Sequence, residues 1–215
     1  MNRDQLVRDT TRLRPVPFVP ELVLHTADDP IEVWQAGESR TGRTGQPPFW
    51  AFPWAGGQAL ARYLLDHPGL VRGRRVLDLA SGSGLAGIAA ARAGAAAVLC
   101  CDVEPLAAAA AGLNAAANGV RLATRTADLL EGGPGDAELV LAADVFYERT
   151  MASRMTAFLR RAASTADVLV GDPGRAYRPA AGFEELAGYD VPVLRALEDG
   201  DVKRVTVLRA IPSAT

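Results

Sequence analysis

Residues 74–102, RRVLDLASGSGLAGIAAARAGAAAVLCCD, carry the fold in miniature. RRVLDLA (74–80) is a short apolar run that reads as a buried strand. It leaves through a glycine-rich turn at Ser81-Gly82-Ser83-Gly84. LAGIAAARAG (85–94) then reads as a helix closed by Gly94, and AAVLCCD (96–102) as a second strand. A strand, a turn, a helix and a strand make one βαβ unit, whose two strands run parallel.

The same alternation continues downstream. PLAAAAAGLNAAANG (105–119) is a helix with Pro in its first turn and Gly at its end. VRLATRTAD (120–128) is a strand and its exit, and AELVLAAD (137–144) a further strand. FYERTMASRMTAFLRRAA (146–163) reads as a helix and ADVLVGD (166–172) as a strand. Such a series predicts a parallel sheet with helices on both faces. AGFEELAGY (181–189) reads as a short helix. YDVPVLRAL (189–197) and VKRVTVLRA (202–210) read as a C-terminal antiparallel hairpin over EDGD.

Upstream, residues 1–20 are polar, then punctuated by Pro15, Pro17 and Pro20, and are expected to be partly mobile. ELVLHTA (21–27) and IEVWQAG (31–37) resemble two strands of a hairpin joined at ADDP. SRTGRTGQPP (39–48) is a Gly/Pro loop. GGQALARYLLDHP (56–68) keeps Leu60, Tyr63, Leu64 and Leu65 at helical spacing until Pro68. The fold class is therefore α/β, a Rossmann-like sheet covered on both faces, with a C-terminal hairpin. A small N-terminal extension occupies residues 1–45 and the main domain residues 46–215.

The whole chain, 215 residues, suits one domain with an elaboration and buries enough surface to need no staples. With 49% hydrophobic and 22% charged residues it is not a disordered or collagen-like chain. A net charge of -2 argues against a nucleic-acid partner, because neutralising phosphates needs a basic surface. MNRDQLVRDT lacks a secretory apolar core, and no apolar run is long enough to span a membrane. Cys100 and Cys101 are neighbours on a strand and so point to opposite faces; no metal site is expected. Two buried thiols suit a reducing cytoplasm. His25 and His67 have no nucleophile beside them in the sequence, and a monomer is expected.

Asp102, Asp144 and Asp172 stand where strands end, with Asp78 and Asp128 close to similar ends. In open parallel sheets the ligand lies outside the carboxyl ends of the strands, so these acids converge on one crevice. Gly82-Ser83-Gly84-Leu85-Ala86-Gly87 matches G-x-G-x-x-G, with Asp102 twenty residues after Gly82. Alone, this fits a nicotinamide dinucleotide as well as any other adenosine ligand. Asp78 inside the first strand is a poor neighbour for a pyrophosphate and a good one for an ammonium group. S-Adenosylmethionine, with its methionine end, suits it better. Gly82 and Gly84 would let a ligand approach the backbone. Asp102 would accept from the ribose hydroxyls and Asp128 from the adenine amino group.

VLDLASGSG (76–84) with CDVEP (101–105) resembles the S-adenosylmethionine site of seven-stranded methyltransferases. PPFWAFPWAGGQALARYLLDHP (47–68) is similar to the segment before that site in the lysine methyltransferases that include the valosin-containing-protein enzyme. ADVFYE (143–148) resembles their D-x-x-Y motif. With VLVGDPGR (168–175), the combination is similar to the electron transfer flavoprotein β-subunit lysine methyltransferase family, over roughly residues 47–175. The resemblance implies a seven-stranded methyltransferase domain, S-adenosylmethionine as cofactor with S-adenosylhomocysteine as product, and the flavoprotein β-subunit as partner. It implies Trp54, Asp78, Gly82, Gly84, Asp102, Asp128 and the backbone of Ala143 around the cofactor, and Asp144 and Tyr147 as the catalytic motif. One departure is Ala80, where many relatives carry glycine; a negative φ would make it harmless.

On this reading Asp144 orients the acceptor amine between walls drawn from Phe49, Trp50, Phe52, Trp54, Phe146 and Tyr147. Blander expectations run beside it. Trp34 packs on a strand, Trp50 and Trp54 share a helix face, Asp144 caps the next helix, and Asp172-Pro173-Gly174 is a turn.

Overall fold

The computed structural model describes residues 2–41, 47–195 and 198–212. The chain opens with α1 (Arg3–Thr10) and an antiparallel hairpin of β1 (Arg12–Val16) and β2 (Val19–Thr26), then α2 (Pro30–Thr41) and α3 (Ala55–Asp66). The alternating region follows as β3 (Arg75–Leu79), α4 (Leu85–Arg92), β4 (Ala97–Asp102), α5 (Pro105–Ala117), β5 (Ala123–Thr126), β6 (Leu139–Ala143), α6 (Arg149–Ala162) and β7 (Asp167–Asp172). β8 (Phe183–Pro192) and β9 (Val202–Ala210) close the chain. The seven strands β3–β9 form one sheet in the order β5-β4-β3-β6-β7-β9-β8. Its first five are parallel, and β9 runs antiparallel to both neighbours. The chain winds outward from β3 to β5 and returns to β6, so the strand order reverses between β3 and β6.

Alternate strand residues feed two cores. Val76, Leu139, Leu141 and Leu169 pack with α3, α4, α5 and β2; Leu77, Val140, Ala142, Val168 and Val170 pack with α6. Met155, Phe158 and Leu159 of α6 are fully buried, and such burial contributes roughly 2 kcal/mol per side chain. Cys100 and Cys101 fall in opposite cores, both buried and both free thiols, as the period of two requires. Among the described residues no helix is long and apolar enough to cross a membrane.

The expected elements between residues 56 and 172 all form, with ends shifted by a few residues. The N-terminal region differs from expectation. Residues 3–10 are a helix capped by the Asn2 side chain, with Leu6 and Val7 buried. The hairpin pairs β1 with β2, not 21–27 with 31–37. IEVWQAG lies in α2, where Asp29 accepts from the Ile31 N–H at 2.7 Å and Pro30 occupies the first position, a cap that outweighs β-branched Ile31 and Val33. Trp34 on this helix is exposed instead of packed on a strand. The expected 39–48 loop is helical to Thr41, and residues 42–46 lie outside the described residues.

Asparagines of α5 and its end fasten the hairpin to the domain. Asn114 Oδ1 accepts from His25 N at 2.7 Å, and Asn118 both accepts from Val23 N and donates to Val23 O. These side chains satisfy backbone groups that β1 does not reach.

The expected helix at 181–189 is instead most of β8. Phe183 to Pro192 pair along β9, with a bulge between Glu185 and Ala187. Helix-forming Glu-Glu-Leu-Ala is overridden by this long pairing, and Gly188 leaves room against the Arg204 guanidinium. The hairpin expected at 189–210 is real but longer on its first strand, and residues 196–197 of it lie outside the described residues.

Candidate active site

A cleft of about 780 Å³ opens at the carboxyl ends of β3, β4 and β6, where the strand order reverses. Of the nine expected site residues, Trp54, Asp78, Gly82, Asp102, Asp128, Ala143, Asp144 and Tyr147 line it. Gly84 does not.

The glycine turn explains that division. Gly82 (φ 49°) faces the cleft, and a methyl group there would meet nothing closer than Trp50 Cα at 3.9 Å. Gly84 (φ 79°) faces α5, and a methyl group would sit 2.8 Å from Ala111 Cβ. It is a helix-packing glycine. Gly87 presses against β4, where a methyl would lie 2.6 Å from Cys100 Sγ. Ala80 does not have the negative φ that would make it harmless: at 53° it is left-handed, which costs roughly 1–2 kcal/mol for a residue with a Cβ.

Asp78 is 2% exposed, and its Oδ2 accepts from the Gly87 N–H at 2.9 Å. Burial pushes its carboxyl up to about 7, and its charged neighbour is another acid, Asp102. A ligand ammonium beside these two acids would favour their charged forms. Asp102 ends β4 with Oδ2 accepting from Gly82 N and Oδ1 from Glu104 N, both at 2.9 Å. Each oxygen keeps a lone pair for one further donor, as a ribose diol requires. Asp128 Oδ1 accepts from Leu130 N at 2.9 Å and Oδ2 from Arg154 at 2.8 Å, so each of its oxygens likewise keeps a lone pair at the cleft edge. Ala143, the last residue of β6, directs its Cβ toward Gly57 on α3.

The other end of the cleft is built around Asp144. It takes a left-handed φ of 57° directly after β6, and its N–H donates to Gly171 O at 3.0 Å. Oδ2 accepts from Gly57 N at 3.1 Å and Oδ1 from Arg175 Nη2 at 2.7 Å. Burial pushes the carboxyl up to about 6, opposed by the Arg175 charge. Asp144 does not cap the next helix. Glu148 does, accepting from Thr150 N and Met151 N.

Phe49 sits between Trp54, edge-on at a centroid distance of 5.7 Å, and Tyr147, tilted at 5.4 Å. Trp54 Nε1 donates to Phe49 O at 2.8 Å. These rings form an aromatic rim in the cleft that Asp144 enters. Trp50 and Trp54 share no helix face, because Phe49–Ala51 is a separate 3-10 turn and Trp54 caps α3. Phe146 is no wall: it is fully buried in the opposite core against Phe183. Asp172 is the turn-former, accepting from Gly174 N and Arg175 N.

Three contributors went unread in the sequence: Gly57, Arg175 and Glu198. Arg175 stood inside the quoted G-D-P-G-R, which gave the motif and no role. Glu198 stood in EDGD, which signals only a turn. Among the described residues no group of three or more His, Cys, Asp or Glu side chains could hold a metal ion.

The family described as Ribosomal protein L11 methyltransferase (PrmA) matches residues 59–159. The crystal structure of ribosomal protein L11 methylase from Lactobacillus delbrueckii subsp. bulgaricus superposes with a TM-score of 0.53 at 20% identity, over 75% of this chain and 81% of that one. That likeness shows the fold. The electron transfer flavoprotein beta subunit lysine methyltransferase of Rattus norvegicus is 44% identical over 60% of this chain and 51% of its own length. The chain thus spans about half of that mammalian relative. The Danio rerio protein of the same name is 42% identical over 181 residues, 80% of this chain and 67% of its own length. With the D-x-x-Y acid and the glycine turn in one cleft of a methyltransferase sheet, the chain belongs to the electron transfer flavoprotein beta subunit lysine methyltransferase family.

Proposed function

We propose that the chain is an S-adenosylmethionine-dependent protein-lysine N-methyltransferase acting on the β-subunit of electron transfer flavoprotein. One observation carries the reading: the buried Asp144 carboxylate shares its cleft with an aromatic rim and with the acids Asp78 and Asp102. A carboxylate beside aromatic faces attracts a cation and strips its water.

When bound, S-adenosylmethionine supplies a methyl group already activated on its sulfonium and leaves as S-adenosylhomocysteine. Asp102 holds the ribose hydroxyls and Asp78 the ammonium of the methionine end. Asp128, engaged with Arg154, borders the adenine side, and Gly82 gives close approach. Asp144 receives the acceptor's ammonium and aims its nitrogen, with Trp54, Phe49 and Tyr147 as walls. A lysine amine attacks only after losing its proton, against a reference pKa of ~10.4. The apolar rim lowers that value by desolvation, and the Asp144 charge raises it. Asp144 is therefore an orienter more than a base. The acceptor amine would give its proton to water and present its lone pair to the methyl group. Alignment supplies most of the rate.

The names of the relatives support the flavoprotein acceptor. The match to the ribosomal methyltransferase family supports a second acceptor class, a ribosomal protein. A reducing cytoplasm suits two free thiols that lie in opposite cores and cannot pair, and a monomer acting without nucleic acid completes the reading. The test is methyl transfer from S-adenosylmethionine to purified electron transfer flavoprotein, read by intact mass. Mass gains in multiples of one methyl on the β-subunit support the proposal. Transfer to ribosomal proteins alone supports the second acceptor, and binding of NADH in place of S-adenosylhomocysteine overturns the cofactor.

A further inference from the structure

Arg175 sits on the loop after β7 and joins two carboxylates. Nη2 donates to Asp144 Oδ1 at 2.7 Å and to Glu198 Oε1 at 2.6 Å, while Nη1 donates to Glu198 Oε2 at 3.0 Å. The guanidinium also lies 5.7 Å from the centre of the Trp54 ring. Glu198 belongs to the turn between β8 and β9, yet its side chain is only 5% exposed. Lys203 on β9 pairs with Glu198 at 3.9 Å.

The two acids hold the guanidinium unequally. Glu198 takes the two-pronged grip that a guanidinium makes best, and Asp144 takes one bond. The other oxygen of Asp144 is fixed by the Gly57 N–H, so the carboxylate keeps its aim if Oδ1 is released. Without Glu198, Arg175 and Asp144 would close as a neutral pair in a desolvated cleft. An arriving ammonium would then have to displace the guanidinium from both Asp144 and the Trp54 face. With Glu198 present, the guanidinium is neutralised from behind.

We infer that Glu198, acting through Arg175, keeps the Asp144 carboxylate open to the acceptor's ammonium, so that Arg175 and Glu198 are positioning residues of the acceptor site. This rests on the proposed lysine acceptor. It assigns a role to a residue far from the methyltransferase motifs in sequence.

The groups facing Asp144 are Arg175 from the loop after β7, Glu198 from the β8–β9 turn and the uncharged Gly57 N–H from α3. Burial raises the Asp144 carboxyl, Arg175 lowers it and Glu198 raises it. The test follows Asp144 by carbon NMR in full-length protein with labelled aspartate carboxylates, assigned by the signal lost in Asp144→Asn. Glu198→Gln, which keeps shape and removes charge, is expected to lower the Asp144 titration midpoint, and Arg175→Gln to raise it. With the flavoprotein as acceptor, Glu198→Gln is expected to raise KM about tenfold, with kcat within about threefold and S-adenosylhomocysteine affinity unchanged. Glu198→Asp should recover part of the KM. An unmoved midpoint in Glu198→Gln overturns the inference, as does a parallel loss of kcat and S-adenosylhomocysteine affinity, which marks general structural damage. If the wild type methylates no protein, the proposed function fails, and the titration alone still decides whether Glu198 governs Asp144.

Discussion

Gly56 in the first turn of α3 and Gly171 near the end of β7 meet backbone to backbone, so closely that a methyl group on either would collide with the other's carbonyl oxygen. A methyl group on Gly56 would also come within 2.5 Å of Asp144 Oδ2. This contact seats α3 on the strand ends and brings the Gly57 N–H to Asp144. Gly171→Ala should therefore overpack the junction and lower stability by roughly 1–3 kcal/mol in denaturant unfolding. Methyl transfer should fall further than S-adenosylhomocysteine binding, because the acceptor end moves first. Unchanged unfolding would show that the two backbones can part at no cost.

Much of this site was legible because its chemistry sits on short, local signals. Gly82 and Asp102 are twenty residues apart in a βαβ unit, and that spacing alone brings a glycine N–H to a strand-end acid. Asp144 could be placed at a strand end by periodicity. What could not be read were long-range partners. Glu198 meets Arg175 across twenty-three residues, and nothing local marks it. Residues 181–189 have helical composition, and only the strand β9 beside them makes them β8. In α2 the balance runs the other way: an Asp-Pro cap decides against β-branched residues. Glycine spacing does not say which side of the turn is crowded, so Gly84 and Gly82 read alike in the sequence.

Ala80 holds φ at 53° at the entry to the glycine turn. Glycine removes the left-handed penalty of roughly 1–2 kcal/mol but gives the unfolded chain more freedom, which returns about 0.5–1. Ala80→Gly is thus expected to stabilise the protein by about 0.5 kcal/mol, read as a higher denaturant midpoint with an unchanged slope. A clear loss of stability would mean that the Ala80 methyl packing against the α6-side core outweighs the strain.

Asp78 titrates at about 7, above the ordinary carboxyl value, because it is buried. The folded state therefore holds a proton that the unfolded state releases between about pH 4 and 7. Its contribution to stability is complete below the unfolded value and is lost as pH rises through about 7. Without ligand, the thermal midpoint should fall across that window, and Asp78→Asn should flatten the fall. A ligand ammonium reverses the preference by favouring the charged carboxylate. S-Adenosylhomocysteine affinity should accordingly rise between pH 6 and 8 in the wild type and stay level in Asp78→Asn. A level profile in both would remove Asp78 from the ligand's ammonium.

Asp144 offers the sharpest test of the acceptor end. Its left-handed φ of 57° is one that asparagine also tolerates, so Asp144→Asn should fold. The amide oxygen can still accept from Gly57, and Arg175 keeps its two-pronged pair with Glu198. The negative charge is lost, and with it the acceptor that faces Arg175 Nη2. If that charge holds the acceptor's ammonium, kcat/KM should drop more than tenfold, about 1.4 kcal/mol or more, with S-adenosylhomocysteine affinity unchanged. The same charge should set the acid limb of the wild-type profile. Burial places the carboxyl at about 6, so activity should rise as pH climbs through that value and the limb should vanish in the variant. Turnover within about tenfold of wild type, with the limb intact, would mean that Asp144 shapes the cleft without touching the acceptor.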